Sequence, residues 1–252
     1  MKRKSVIIGL AATVLATGGL TGCGQAVTEP TETAVIEDST QLVEELDDSV
    51  PDFTEAELSD TNERVDYGEL DELGRATGMT AVLSKDSLKK KTEKPEGITT
   101  TGFHKVWYDS IPKANGNVGA YLFGHCHLLR SRLGGAKDDD RNFFTGTYAL
   151  NSRSGMGQYE EMVVKCVKEG KCHVIYRVTP EYTGDNLVAD GVTLEAMSME
   201  DNGESLSFKV YIRNIQHGIH INYENGISYA ENRQAAVPVA ETQMQEPEEK
   251  EN

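Results

Sequence analysis

Long hydrophobic runs, aromatic residues and positive charge are all in short supply in this chain. Of its 252 residues 38% are hydrophobic and 7% aromatic, enough for one good-sized core with tails and not for several domains. The apolar stretch that stands out, SVIIGLAATVLATGGL from Ser5, is too short for an ordinary transmembrane helix. There are four cysteines without CxxC-type spacing, which speaks against a structural zinc site of the usual kind. No internal repeat of about 20 to 50 residues is visible, which removes solenoids and propellers. Lysine and arginine total 25 against 41 acidic residues, a net charge of −16. Taken alone, that charge argues against a protein that holds a polyanion.

The charge is unevenly placed, and its map reverses that inference. Residues 24–64 contain 13 acidic residues and one basic one, whereas residues 65–230 contain 22 acidic and 19 basic. The middle of the chain is nearly neutral, and the acidity belongs to the ends. MKRK, the short apolar run and then LTGC at Leu20–Cys23 form the ordered pattern of a bacterial lipoprotein signal. The expectation is a signal peptide over 1–22 and a mature chain that starts at Cys23. Lipid on that cysteine would hold it on the outer face of the cell membrane. Residues 23–64, rich in Glu, Asp, Thr, Ser and Pro, read as an acidic disordered stalk, and 231–252 as a similar tail. Cys166 and Cys172 flank VKEGK, and a disulfide between them would close a very short loop; two separate thiols are the alternative.

Residues 65–230 carry regular signals. KVWYDS, GAYLFGHCHLL, CHVIYRVT, VTLEAMSM, LSFKVYIRN and GIHINY read as strands separated by turn clusters. Gly157–Glu169 reads as an amphipathic helix with Tyr159, Met162, Val163, Cys166 and Val167 on one face. The expected class is α+β, a mainly antiparallel sheet with few helices.

Chemistry concentrates between Leu122 and Glu161. LFGHCHLLRSRLGG places two imidazoles and a thiol at a strand end; NFFTGTYALN has carboxamides nine residues apart at Asn142 and Asn151; GMGQYEEMV places Glu160 and Glu161 on the first turns of the helix. An imidazole can take a proton from water near neutral pH. Neutral oxygen donors backed by a carboxylate suit hydrated Mg²⁺. A base and a hard cation are the minimum for phosphodiester hydrolysis. Each element also has a plainer reading: a structural histidine, turn-capping asparagines, solvated charges at Asp138–Asp140, a solvated loop around Lys89–Lys91, and exposed histidines at 217 and 220. The HCH trio by itself invites a zinc- or copper-capture reading.

With these residues in view, the chain resembles the DNA/RNA non-specific endonucleases, the ββα-metal group, in the branch found in exported Gram-positive proteins. The likeness runs through LDELGR, TTGFHKVWY, YLFGHCHLL, NFFTGTYALN, GMGQYEEMV, VIYRVTPEYTGDNLVADGV and GIHINYENG, nearly all of residues 65–229. It implies a general base at His127, a direct Mg²⁺ ligand at Asn151 (Mn²⁺ being a possible substitute), and a water-shell ligand at Glu160, or Glu161 if the longer SRSGMGQYE segment shifts the register. It also implies a supporting catalytic role for Asn142. DNA and RNA become the expected substrates, with Arg177 and Arg130 as substrate-binding candidates, and no stable protein partner is expected. One departure matters. Where relatives have Asp or Asn, Arg and a small residue before the catalytic histidine, this chain has Gly124, His125 and Cys126. His125 would replace the arginine fork only when protonated, which implies slow catalysis that improves toward mildly acidic pH, or a nuclease fold that binds without cutting. At the other end of the chain, a Cys23→Ser variant is expected to leave the membrane fraction for the soluble one; retention of that variant in membranes would remove the lipid tether.

Overall fold

The computed structural model describes residues 41–89, 95, 97–169 and 173–231. In chain order the elements are β1 (Val43–Glu45), α1 (Glu55–Ser59), β2 (Arg64–Tyr67), β3 (Met79–Leu83), β4 (Trp107–Pro112), β5 (Val118–Tyr121), β6 (Phe123–His127), β7 (Phe143–Thr147), α2 (Met156–Glu169), β8 (Val174–Glu181), β9 (Gly191–Ser198), β10 (Ser207–Arg213), β11 (Ile219–Ile221) and β12 (Ser228–Ala230). Six strands form one antiparallel sheet in the order β1-β10-β9-β8-β3-β2, and the rest pair as three hairpins, β4-β5, β6-β7 and β11-β12. The α+β class expected from the sequence is the class observed.

Period-two alternation explains the sheet. On β8, Val174, Tyr176 and Val178 point into the main core with Leu194 and Ala196 of β9 and Phe208, Val210 and Ile212 of β10. Cys126 of β6, Phe144 of β7 and the buried face of α2 join the same core. The hairpin can lie this close to itself because Gly146 has no side chain: a Cβ there would come within 2.5 Å of the Cys126 sulfur. A smaller core of Ile111, Ala120, Leu122, Phe123, Val188, Ile219 and Ile221 supports the β4-β5 and β11-β12 hairpins.

The helix is rotated from its expected face. Its buried residues are Met156, Glu160, Val163, Val164, Cys166 and Val167, while Met162 is exposed. A carboxylate thus occupies the stripe that hydrophobicity alone assigned to methionine. Cys166 is buried on this helix; Cys172, its suggested partner, lies outside the described residues, as do the signal segment with Cys23, Lys90, Lys91 and the tail from residue 232.

The proposed stalk needs correction over its second half. Residues 43–59 are folded onto the outer face of the sheet, where β1 pairs with β10 and α1 is closed by a capping box between Thr54 and Glu57. The cause is complementary charge. Arg177, Glu195 and Lys209 lie side by side in register across β8, β9 and β10. Lys209 is paired with Asp47 at 2.5 Å and with Asp52, the Asp52 N–H donates to Glu195 at 2.8 Å, and Arg177 is paired with Glu57 and stacks 4.7 Å above Phe53. Composition marks this segment as unable to build a core of its own, yet it binds a face that already exists.

Asn214 ties the β6-β7 hairpin to the main sheet. It is fully buried, accepts from the Thr147 N–H at 2.7 Å, and donates to the carbonyls of Thr145 at 3.0 Å and Ala189 at 2.9 Å. Truncation would leave three backbone groups without partners, each costing on the order of 1–3 kcal/mol. An Asn214→Ala variant is therefore expected to lose at least about 3 kcal/mol in urea unfolding; a loss below about 1 kcal/mol would show that the hairpin is held by other means.

Candidate active site

His127 ends β6, opposite Phe143 in the hairpin register. There its Nδ1 lies 3.3 Å from Oε1 of Glu160, which rises from the second turn of α2. Neither atom is hydrogen-bonded, and both are shut off from solvent. Glu160 is only 4% exposed, yet the His127 side chain retains 27% of its surface. The exposure must belong to the part of the ring turned away from Nδ1. The other carboxylate oxygen, Oε2, sits 3.5 Å from an Arg130 guanidinium nitrogen that also donates to Glu161 at 2.9 Å. Glu161 itself is exposed and has Arg132 at 3.7 Å. Of the two glutamates in the motif, Glu160 is therefore the one that reaches the imidazole. Tyr176, buried on β8 with an unpartnered hydroxyl, belongs to the same surroundings: its phenol is held well above its ordinary range, first by burial and then by the charge of Glu160.

Asn142 has a different place from the one expected. Its Oδ1 accepts from the Leu129 N–H at 2.9 Å, and its Nδ2 donates to the carbonyls of Leu129 at 3.1 Å and Ala136 at 2.7 Å. The buried carboxamide is fully engaged by the backbone of the loop after His127, so Asn142 positions that loop and has no group left for a phosphate. Arg177 is also corrected. Held by Glu57, Glu195 and Thr80 beneath the N-terminal segment, it is not free to meet a substrate. Arg130 remains beside His127, but as the partner of Glu160 and Glu161.

His125 and His127 do not share their partners. His125 stacks on Phe103 at 4.1 Å and joins a hydrogen-bond chain whose direction is fixed by its last member. The Thr101 carbonyl can only accept, so Thr145 donates to it at 2.7 Å; Thr100 then donates to Thr145 at 2.7 Å; and His125 Nδ1 donates to Thr100 at 2.9 Å. In its neutral form the ring is left with Nε2 as an acceptor, which cannot give a proton to a phosphate oxygen. Burial also lowers its proton affinity, against a smaller opposite pull from Asp140. The arginine fork is not reproduced at this position, and any protonation of His125 is displaced to lower pH than for a free imidazole.

Cys126 points the other way, into the core. Burial, then the charge of Glu160, pushes its thiol up to about 12. Its sulfur is sealed in the core, away from the two imidazoles, and among the described residues no three His, Cys, Asp or Glu side chains gather as a metal cluster. The zinc- or copper-capture reading lacks both a reachable thiol and a converging ligand set. Nor do Asp139 and Asp140 form a cation trap: Asp139 pairs with Arg141 and Asp140 accepts from the Thr99 N–H.

Asn151 is exposed in the turn before α2 and borders a cavity with Gly124 and Thr147; its carboxamide makes no hydrogen bond among the described residues. Glu160 Oε1, by contrast, is closed to solvent against His127 Nδ1. Asn151 is thus the hard oxygen donor with unused capacity, of the kind that suits a hydrated divalent cation such as Mg²⁺.

A conserved-sequence model described as DNA/RNA non-specific endonuclease matches residues 56–200, and the chain belongs to that family. It is 29% identical over 196 residues to a deoxyribonuclease of Streptococcus dysgalactiae subsp. equisimilis, with 64% of this chain and 59% of that protein covered. The chain thus spans about three fifths of the length of that relative. Its fold matches crystal structures of NucA from Streptococcus agalactiae, one without metal and one with magnesium bound, each at a TM-score of 0.61 over 75% of this chain and 86% of that one, at 21% and 23% identity. It also matches Sda1 nuclease with bound zinc at a TM-score of 0.57 and 27% identity, over 65% and 80% of the two chains.

His125 gives the site a pH signature. Its folded-state proton affinity is below that of the unfolded chain, so the unfolded state binds more protons as pH falls through about 6.5. The stability this histidine supports at neutral pH is lost below that point. Urea midpoints of the wild type and His125→Gln, compared between about pH 8 and pH 5, are expected to converge or cross on acidification; parallel curves would place the ring in solvent.

Proposed function

We propose that the protein is a lipid-anchored extracellular endonuclease that hydrolyses phosphodiester bonds of DNA and RNA without sequence preference. The observation that carries this reading is the imidazole of His127, with one nitrogen fixed against the buried Glu160 and the far side of its ring exposed. His127 takes a proton from the attacking water through the exposed Nε2. The Glu160 carboxylate holds the ring in place and stabilises the imidazolium that results, while Arg130 balances the carboxylate's second oxygen. Asn142 keeps the loop bearing Arg130 in register. A divalent cation would be held by Asn151 directly and by Glu160 through water; when bound, it supplies positive charge at the phosphorane and the departing oxygen. Magnesium is favoured by the all-oxygen donor set, with Mn²⁺ as a substitute. Contacts of this kind fall on phosphate and sugar, which is why no sequence preference is assigned. The tether is Cys23, and the outer face of the membrane is the location; among the described residues no helix is long and apolar enough to cross a membrane.

A second reading has one observation in its favour. With His125 neutral and its Nδ1 committed to Thr100, the phosphate loses the donor fork that relatives place there, and a weakened or purely binding nuclease fold results. A plasmid-nicking and RNA-degradation assay separates the two. The wild type is expected to cut both in Mg²⁺ or Mn²⁺ and to stop in chelator, and His127→Ala should lower the rate by about 10²- to 10⁴-fold. Binding without cleavage under every divalent ion would establish the binder instead.

A further inference from the structure

The β4-β5 hairpin carries features that hydrolysis as described does not use. Trp107 and Tyr121 face each other across it in register, rings edge to face at 5.2 Å, and remain 49% and 46% exposed. Exposed aromatic side chains are commonplace when scattered singly; these two are paired and held. The indole Nε1–H donates to Asp109 at 2.7 Å. Gly119, with φ +90°, lies directly against the indole, and a Cβ there would come within 2.8 Å of the ring. Lys113 stands 5.3 Å from the indole centroid and Lys105 5.4 Å from the Tyr121 ring. At such distances on an exposed surface a cation holds a ring only weakly, so both ammonium groups are free to move to a better anion.

These residues open onto the site. Trp107, Tyr121, Lys113 and Tyr148 line a cavity of about 320 Å³ together with Asn151 and Gly124. Gly124 belongs to β6, three residues ahead of His127, and a Cβ built on it meets nothing within 4 Å. The altered motif that removes an arginine therefore also leaves room above the strand.

We propose that this cavity takes an unpaired base of a single-stranded nucleic acid, stacked on the Trp107 and Tyr121 platform, with Lys113 and Lys105 on the flanking phosphates. The proposal rests on the nuclease reading and adds its substrate class. An immobilised aromatic surface loses little freedom when a base stacks on it, and every base has a face to offer, so the contact gives affinity without sequence preference. A paired base within a duplex already has both faces covered and cannot enter. The hairpin thus favours single strands, loops and frayed ends over intact duplex.

Trp107 is the single tryptophan of the chain, so its emission reports on the platform directly. In His127→Ala protein with chelator present, where nothing is cut, oligothymidylate is expected to quench this emission saturably, and a hairpin duplex of equal length to do so at several-fold higher concentration. With a labelled oligothymidylate followed by anisotropy, Trp107→Ala should weaken binding by about tenfold or more, whereas Trp107→Phe should retain most of it. Gly124→Asn, which leaves the platform intact, should weaken quenching by filling the cavity; unchanged emission of the free variant verifies that its fold is kept. Oligothymidylate that binds without quenching, equal binding by Trp107→Ala, equal preference for duplex, or no binding of single strands overturns the proposal. Because binding is read without catalysis, absence of cleavage by the wild type is a separate result that bears on the nuclease reading alone.

Discussion

A carboxylate buried to 4% exposure on the second turn of α2 is the constraint from which the site follows. Burying such a group without compensation costs several kcal/mol or more, and compensation comes from what β6 and its following loop present, an imidazole and a guanidinium. His127 approaches one oxygen and Arg130 the other. The helix is thereby fixed to the strand end at the point where the imidazole sits, and the ring is oriented by the same contact that makes the carboxylate tolerable. Asn142 enters one step further out: by closing the backbone of residues 129–136 it holds the start of the loop from which Arg130 reaches α2. Removing the buried charge would loosen the helix, the loop and the imidazole together.

The opposite face of the sheet is organised by a second electrostatic fit. The row Arg177, Glu195, Lys209 would be an ordinary wet face were it not covered by residues 43–59, whose acids meet its cations. This divides the labour of the domain. Cations on the outer face are neutralised from within, whereas Arg132, Lys105 and Lys113 stand on the loops and hairpin around β6. The net charge of −16 is therefore a poor guide to what a polyanion would meet locally.

Much of this was legible in the sequence where the signal was periodic or ordered along the chain. The helix expected over 157–169 is observed at Met156–Glu169, the alternation in LSFKVYIRN does mark a strand, and the order of GHCH, NFFTGTYALN and GMGQYEEMV singled out His127 and Glu160, though as base and water-shell ligand and not as the directly facing pair observed. What escaped was partnership between distant residues. Arg177 read as an available cation because its partner, Glu57, lies 120 residues earlier. The segment around Glu57 read as disordered because hydrophobicity is a measure of the core a segment can build, not of a charged face it can bind; the T-x-x-E of Thr54 and Glu57 was a local sign of a helix start that composition outweighed. The direction of His125's hydrogen bonds depends on Thr100, Thr101 and Thr145, which no spacing rule connects to it.

The change from arginine to His125 need not be judged by that position alone. A phosphate entering the cleft has to be met by positive charge, and the question is which groups can supply it at neutral pH. His125 is ill suited, since burial disfavours its charged form and Thr100 already takes its Nδ1–H. Arg130 is always charged but shares a nitrogen between Glu160 and Glu161, so its net field is partly cancelled. Lys113 and Lys105 have only weak contacts with aromatic rings to give up. The cations with least to give up thus stand on the hairpin beyond Gly124, where the glycine also leaves space. A substrate gripped there is held by a base and its flanking phosphates, not by a rigid fork on the reacting phosphate, and the consequence is affinity weighted toward flexible strands that can splay a base out.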